Sequence, residues 1–223
     1  MSIFSHDILD NLYSQLTLGG DGEFLRSVNV HVLNLFTNLV VDEAIRGYLT
    51  VKIDRFFDAK LSTLNMNEMV ALFRLLGNFS MLSDSAYVVA EHFSEIFEFI
   101  VCELAPIRRQ AWTVLLNLSC ELDCIIIMLE SSGSNDVDEI LRNPFREKDE
   151  MILSKSLKFL CNVYRNLRPL DNGKFSRESL FAHLLKTKDD LKQQTTLYLS
   201  QVTSTEEIYE DVQRLSEILE ESH

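Results

Sequence analysis

Residues 71–80, ALFRLLGNFS, combine the apolar pattern of a buried helix with one polar side chain that does not suit it. The apolar residues recur at helical spacing, but Asn78 stands near the end of the stretch. A buried amide needs hydrogen-bond partners, because its desolvation is otherwise unfavourable. We therefore expect a pattern elsewhere in the chain to explain a polar residue at position 78.

The same pattern recurs in three other stretches, each with an asparagine at the fifth place. Successive asparagines lie 40, 39 and 45 residues apart, with apolar residues three and two positions before each one and one position after it. A step of about 40 residues is typical of solenoid repeats that contain two or three helices each. The four stretches are NLFTNLV around Asn38, RLLGNFS around Asn78, TVLLNLS around Asn117 and KFLCNVY around Asn162.

The composition favours helices throughout. The 223 residues are 46% hydrophobic and 25% charged, with only 7 Gly and 3 Pro to supply the turns that a strand-rich fold requires. Two short apolar segments precede each long one: EAIRGYL and KIDRFFDAKLS, then SAYVVAEHF and SEIFEFIVCEL. This order predicts an all-α fold with two short helices and one long helix in each repeat.

At the asparagine-bearing segments, the chain resembles the third helix of armadillo repeats, and the resemblance covers residues 28–167. It implies a right-handed α-solenoid of about four repeats with a helical C-terminal cap. It also implies that each asparagine binds backbone groups of a neighbouring segment or lines the concave groove. We expect residues 1–27 to form an N-terminal capping helix and loop, and residues 168–223 to form the C-terminal helices that cap the solenoid.

Local signals predict where several helices begin and end. Asn65 with Glu68 has the form of a capping box, and Pro106 suits the first turn of a helix. Residues 131–139, SSGSNDVDE, read as a surface loop, followed by Asn143 and Pro144 as a helix start. Two further helices are expected at residues 180–185 and 191–202.

The last segment, residues 203–223, predicts a strongly amphipathic helix. Either Thr203 with Glu206 or Ser204 with Glu207 could cap it. Its narrow apolar seam could cover the open end of the solenoid, or it could bind a partner or a second copy of the chain, giving a homodimer through residues 204–221. The seam consists of Ile208, Val212, Leu215 and Leu219.

Positions four and seven residues before each asparagine share its helix face, and seven of these eight positions are polar. The resemblance implies that this stripe faces the concave groove, where the amides would hold a partner segment and Arg74, Lys155, Lys158 and Arg165 would make parts of the groove basic. An ordinary solvated surface is the alternative. The candidate partner-binding residues are His31, Asn34, Asn38, Arg74, Asn78, Gln110, Thr113, Asn117, Lys155, Lys158 and Asn162.

The chain lacks a tryptophan that one armadillo subfamily uses to bind its ligands. Importin-α-like grooves carry a tryptophan four residues before the asparagine, and none of the four repeats here has one. The single tryptophan, Trp112, lies five residues before Asn117, so we expect it in the core. A receptor for nuclear localisation signals is therefore not expected.

No motif for catalysis, a metal or a cofactor is evident. TLGGDGEF has glycines but lacks the Lys-Ser/Thr pair of a phosphate loop, and it reads as a connecting loop. Cys120 and Cys124 are four residues apart without a nearby histidine, so we interpret all four cysteines as reduced core thiols. We predict no enzyme activity.

Charge and hydropathy limit the partners. A net charge of −13 argues against direct nucleic-acid binding, which needs clustered Lys and Arg. No apolar run is long enough for a membrane span, and the amino terminus lacks the form of a secretory signal. We therefore expect an intracellular protein, in the cytoplasm, the nucleus or both.

Two functional hypotheses follow. The first is an adaptor or scaffold without catalysis, which binds an extended or helical segment of another protein along the concave groove. The second is a chaperone-type cofactor, either a nucleotide-exchange factor of Hsp70 or a carrier of a basic client protein. The acidic C-terminal segment suits the carrier version.

Overall fold

A computed structural model of the chain describes residues 6–16, 18, 20–58, 61–131, 135–167, 175–201 and 205–221. Over these ranges the regular structure is helical, with short 3-10 turns and no β-strand. The all-α prediction is confirmed. The proposed caps Thr203 and Ser204 lie outside the described residues.

The helices follow the predicted order of two short members and one long member. This order recurs as α3, α4 and α5, then as α6, α7 and α8, then as α9, α10 and α11. The helices are α1 (His6–Ser14), α2 (Glu23–Leu39), α3 (Glu43–Thr50), α4 (Asp54–Asp58), α5 (Met66–Ser80), α6 (Ser83–Glu91), α7 (Phe93–Phe97), α8 (Ala105–Leu118), α9 (Leu122–Glu130), α10 (Asn135–Arg142), α11 (Glu150–Leu167), α12 (Leu180–Gln201) and α13 (Glu206–Glu221).

The long helices form one row and the shorter ones form another. Helices α2, α5, α8, α11 and α13 pack side by side in that order, each on the next. Helices α3, α6, α9 and α12 pack in the same way. Since each helix of a row packs mainly on its counterpart in the adjacent repeat, the arrangement is that of stacked helical repeats. The hydrophobic core lies between the rows and includes Phe36, Phe73 and Tyr164.

The predicted helix starts are mostly confirmed. The Asn65 side chain accepts a hydrogen bond from the Glu68 amide (2.9 Å), and the Glu68 carboxylate accepts one from the Asn65 amide (3.1 Å). The buried Glu68 carboxylate also binds Arg26 and Asn29 of α2, so this cap joins two long helices. Pro106 lies in the first turn of α8, as predicted.

The predictions for the segments after α9 and after residue 180 are wrong. The loop expected at residues 131–139 contains the start of α10, whose Leu141 is buried in the core just beyond the polar stretch. The two helices expected between 180 and 202 are a single helix, α12, of 22 residues. The polar residues 186–190 include no Gly or Pro, and Thr187 is buried with its hydroxyl bonded to the His183 carbonyl (2.9 Å). Polarity alone therefore does not interrupt the helix.

Asn143 precedes a short 3-10 turn, Pro144–Arg146, rather than an α-helix. Its side chain makes no capping hydrogen bond, so the predicted cap at this position is wrong. The long helix α11 is instead preceded by Asp149, whose carboxylate accepts a hydrogen bond from the Met151 amide (3.1 Å).

The apolar seam of α13 is buried within the chain. Ile208, Val212, Leu215 and Leu219 are all buried, and α13 packs on α11 and α12. The seam is therefore covered by helices of the same chain. That the C-terminal helices cap the solenoid and that residues 204–221 form a homodimer both stay predictions.

Among the described residues, no single helix is both long and apolar enough to cross a membrane. Helices α8 and α9 pass that test together by length and composition, but they meet at a bend of 118°.

Candidate functional site: the asparagine stripe of the long helices

Each asparagine in the middle of the row bonds to the long helix that precedes its own. Asn78 Nδ2 donates to the Thr37 carbonyl of α2 (2.8 Å). Asn117 Nδ2 donates to the Gly77 carbonyl of α5 (3.0 Å) and to the Ser80 hydroxyl (3.2 Å). The acceptor carbonyls stand one residue before the preceding asparagine, so the contact repeats in register. The prediction that these amides satisfy backbone groups between repeats is confirmed for both.

The two ends of the series differ from the middle. Asn162 Nδ2 donates to the Ser119 hydroxyl (3.0 Å) and contacts Cys120 Sγ (3.8 Å), so its described partners are side chains. Asn38 belongs to the first long helix of the row and is exposed. Cys120 is also exposed, and its assignment as a core thiol is wrong. It lies in the turn after α8, where the apolar pattern of that helix has ended.

The N-terminal half of the stripe is open to solvent. Arg74 is exposed, and its guanidinium donates to Asn34 Oδ1 on the preceding helix (3.4 Å). His31 is exposed as well. Ala71, which has the same register in the next repeat as His31, is buried. The accessible part of this half is therefore formed by Arg74, His31 and the amides.

The C-terminal half holds a half-buried lysine with neutral partners. Lys155 Nζ donates to the Thr113 hydroxyl (2.6 Å) and to the Arg109 carbonyl (3.2 Å), both on α8. Burial, reinforced by the Arg109 guanidinium, lowers the pKa of Lys155, although Asp149 opposes the shift. Arg109 itself is paired with Asp149 (2.6 Å). Gln110, the remaining predicted residue here, is half-buried.

Lys158 is not a free cation of the groove, contrary to expectation. Its Nζ lies 2.7 Å from Glu207 Oε1 and 3.6 Å from Asp211 Oδ2, both on α13. The hydrogen bond to Glu207 raises the pKa of Lys158 and lowers the pKa of Glu207. Ser154 donates to Asp211 (3.0 Å) beside it. The C-terminal helix therefore supplies carboxylates to the stripe.

A cavity of about 470 Å³ lies where α8, α11 and the start of α13 meet. Both Lys155 and Lys158 line it. The other residues lining it are Leu116, Glu150, Met151, Ser154, Thr205, Glu207 and Ile208.

The structure brings the predicted residues of neighbouring helices together in pairs, such as Arg74 with Asn34 and Lys155 with Thr113. Sequence reasoning missed the contributions of Ser154, Glu207 and Asp211. The only available signal was the acidic first turns of α13, and nothing in the repeat pattern placed that helix beside α11. Arg165, the additional basic residue considered for the groove, is exposed near the end of α11.

A second cavity, of about 610 Å³, lies near α10. The Arg108–Glu147 ion pair (3.1 Å) and Asn143 line it, together with the buried Trp112. Trp112 packs edge-on against Phe159, with ring centroids 5.6 Å apart, which confirms its predicted core position. Within the described part of the chain, no group of three His, Cys, Asp or Glu side chains is arranged to hold a metal.

Comparison with known proteins identifies one family and solved structures of similar fold. A family profile described as "Armadillo-like" matches residues 25–185. A crystal structure of an engineered protein from the Northeast Structural Genomics Consortium has a TM-score of 0.56 at 13% identity, over 96% of this chain and 98% of that one. A second engineered protein from the same consortium has a TM-score of 0.52 at 10% identity, over 95% and 97% of the two chains. No curated protein matches the sequence. At such identities the structures support the fold alone.

Proposed function

Because the chain belongs to the armadillo-like family, we propose that it is an adaptor that binds a segment of another protein along the asparagine stripe. Such folds generally act as protein-interaction scaffolds and are typically not catalytic. In this proposal the superhelix is right-handed with about four repeats, the helices after residue 167 cap it, and the partner segment is extended or helical.

The observation that carries the proposal is the continuity of polar side chains across the row of long helices. Arg74, Thr113 and Lys155 lie on successive helices, and each contacts the polar stripe of a neighbouring helix. A stripe of this kind offers side-chain donors to the backbone and side chains of a bound segment. The inter-repeat bonds hold Asn78 and Asn117 in place, so little conformational entropy is lost when a ligand binds.

The test uses charge reversal at Arg74. Reversing Arg74 and Lys158 together would be ambiguous, because Glu at position 158 would face Glu207 and Asp211 and would reduce stability. The proteins captured by the wild type and by Arg74→Glu are compared by affinity purification with quantitative mass spectrometry. Affinities of the captured partners are then measured with purified components.

The matched control is Arg55→Glu, an exposed arginine on the short helix α4. We expect Arg74→Glu to weaken a partner's binding about tenfold, or about 1.4 kcal/mol, while Arg55→Glu leaves it unchanged and both variants keep the wild-type melting temperature. Equal binding of a confirmed direct partner by all three proteins would move the site away from this stripe.

The chaperone-type alternative has a separate assay. In the carrier version, exposed carboxylates of α13 such as Glu210, Glu217 and Glu220 would attract a basic client. Salt-sensitive capture of a basic protein would favour that version. Accelerated release of labelled ADP from Hsp70 would favour the exchange factor.

A further inference from the structure

The stripe is basic in a protein of net charge −13. The positions 0, 4, 7, 8 and 11 residues before the asparagines include four cations on α5, α8 and α11, and none of these positions holds a carboxylate. The acidic residues of the chain are therefore concentrated elsewhere. The four cations are Arg74, Arg109, Lys155 and Lys158.

Two of these cations are already neutralised by the chain and two are not. Arg109 is paired with Asp149, and Lys158 is paired with Glu207 and Asp211. In the described part of the chain, the hydrogen-bond partners of Arg74 and Lys155 are neutral oxygens, namely the Asn34 amide, the Thr113 hydroxyl and the Arg109 carbonyl. A half-buried ammonium without a carboxylate partner is incompletely compensated for the hydration it has lost.

We infer that the stripe binds an acidic segment, and that Glu207 occupies one of its carboxylate sites in the free protein. The inference rests on the proposed function and specifies the chemistry of the partner. Lys158 shows the recognition within the chain itself, since a Glu side chain on one helix is bound by a lysine of the stripe at 2.7 Å.

The geometry allows an exchange of carboxylates at this site. The Glu207 side chain is 69% exposed, so it can rotate into solvent without disturbing the core, whereas the Asp211 side chain is only 9% exposed and stays packed. The cavity beside Lys158 also reaches Lys155, and its volume of about 470 Å³ is enough for an acidic side chain. An incoming carboxylate can therefore pair with Lys155 and displace Glu207 from Lys158.

The probe is a fluorescent synthetic peptide rich in Glu and Leu, compared with matched peptides in which Gln or Lys replaces every Glu. We expect only the Glu peptide to bind, more weakly as salt increases. Glu207→Gln removes the internal competitor and is expected to tighten binding only about two- to fivefold, because an exposed ion pair is weak. Lys155→Gln and Arg74→Gln each weaken binding by a similar factor.

Matched controls separate local pairing from net charge. Glu210→Gln removes one negative charge at an exposed position of α13, as Glu207→Gln does. Arg55→Gln removes one positive charge on α4, as Arg74→Gln does on α5. Both are expected to leave affinity unchanged. The inference is overturned if no peptide binds, if the Lys or Gln peptide binds as well as the Glu peptide, or if Glu207→Gln behaves like Glu210→Gln.

Failure of the inference and failure of the proposed function give different results. If Arg74→Gln weakens binding of the Gln or Lys peptide, the stripe is a binding surface but its ligand is not acidic. If peptides bind and neither Arg74→Gln nor Lys155→Gln changes any affinity, the stripe itself is not the binding surface, and the proposed function fails together with the inference.

Discussion

Asn78 acts at the scale of a single residue by joining two repeats through one hydrogen bond. The side-chain amide of Asn78, on α5, donates to the Thr37 carbonyl near the end of α2. Asn117 makes the same contact one repeat later, to Gly77. A polar residue among apolar neighbours is tolerated here because its donor is satisfied by a fixed acceptor.

The first prediction concerns this contact. Asn78→Ala removes the donor and leaves the Thr37 carbonyl without it, so we expect the free energy of unfolding to fall by about 1–2 kcal/mol. Urea unfolding measures the change. Asn38→Ala is the matched control, because Asn38 has the same register but is exposed, and a change of less than about 0.5 kcal/mol is expected there. Equal losses in both variants would show that the inter-repeat bond is not what stabilises the stripe.

At the scale of elements, an ionic cluster joins α10 to α12. Asp138 is buried and binds His183 and Lys186 (2.7 Å to Lys186 Nζ). Burial by itself would raise the pKa of Asp138, but hydrogen bonds from Lys186 and His183 outweigh it and hold the pKa below the ordinary value of 3.8. Helix α10, whose first half was predicted to be a loop, therefore packs on α12 and is also joined to it by charge.

The second prediction is the pH dependence of this cluster. Because the pKa of Asp138 is lower in the folded state, its contribution is present above the unfolded pKa and is lost as the pH falls through the folded pKa. Asp138→Asn should therefore cost about 1–2 kcal/mol at pH 7, and the difference from wild type should shrink below about pH 4. Urea unfolding across this pH range measures it.

The control for the pH experiment is Asp189→Asn, an exposed aspartate on α12. Its stability should follow that of the wild type at every pH. A difference between Asp138→Asn and wild type that stays constant down to pH 3 would contradict the role given to the cluster.

At the scale of the whole molecule, α13 extends the row of long helices. It packs on α11 as each long helix packs on the one before it, although it lacks the asparagine pattern. In a solenoid, a terminal cap buries the apolar face of the neighbouring repeat and presents a polar face to solvent. The buried seam and the exposed acidic face of α13 support the proposal that this helix is such a cap.

The third prediction tests that role. Leu215 is fully buried in the seam, so Leu215→Ala should lower the free energy of unfolding by about 2–4 kcal/mol. Leu197→Ala, at a half-exposed position of α12, should change it by less than about 0.5 kcal/mol. Urea unfolding followed by circular dichroism distinguishes the two. A loss at Leu215 no larger than at Leu197 would mean that α13 does not stabilise the row.

The helical class, the repeat and the register of the asparagines could be predicted from the sequence. These features depend on local periodicity and on spacing along the chain, which are visible without coordinates: the capping box at Asn65 and the core position of Trp112 are examples. Sequence reasoning failed at residues 135–139 and 186–190, where polar residues lie within α10 and α12. Asp138 and Lys186 of these two stretches bind each other across the two helices, a contact that spacing along the chain does not reveal.

Which cations of the stripe lack a carboxylate partner depends on tertiary contacts and could not be predicted from the sequence. Lys158 and Arg74 occupy the same position relative to their asparagines, yet Lys158 is paired with Glu207 and Arg74 has a neutral partner. The difference arises because α13, 49 residues further along the chain, packs beside α11 and not beside α5. Charge pairing depends on distance in space, and sequence spacing does not specify that distance between elements joined by long connections.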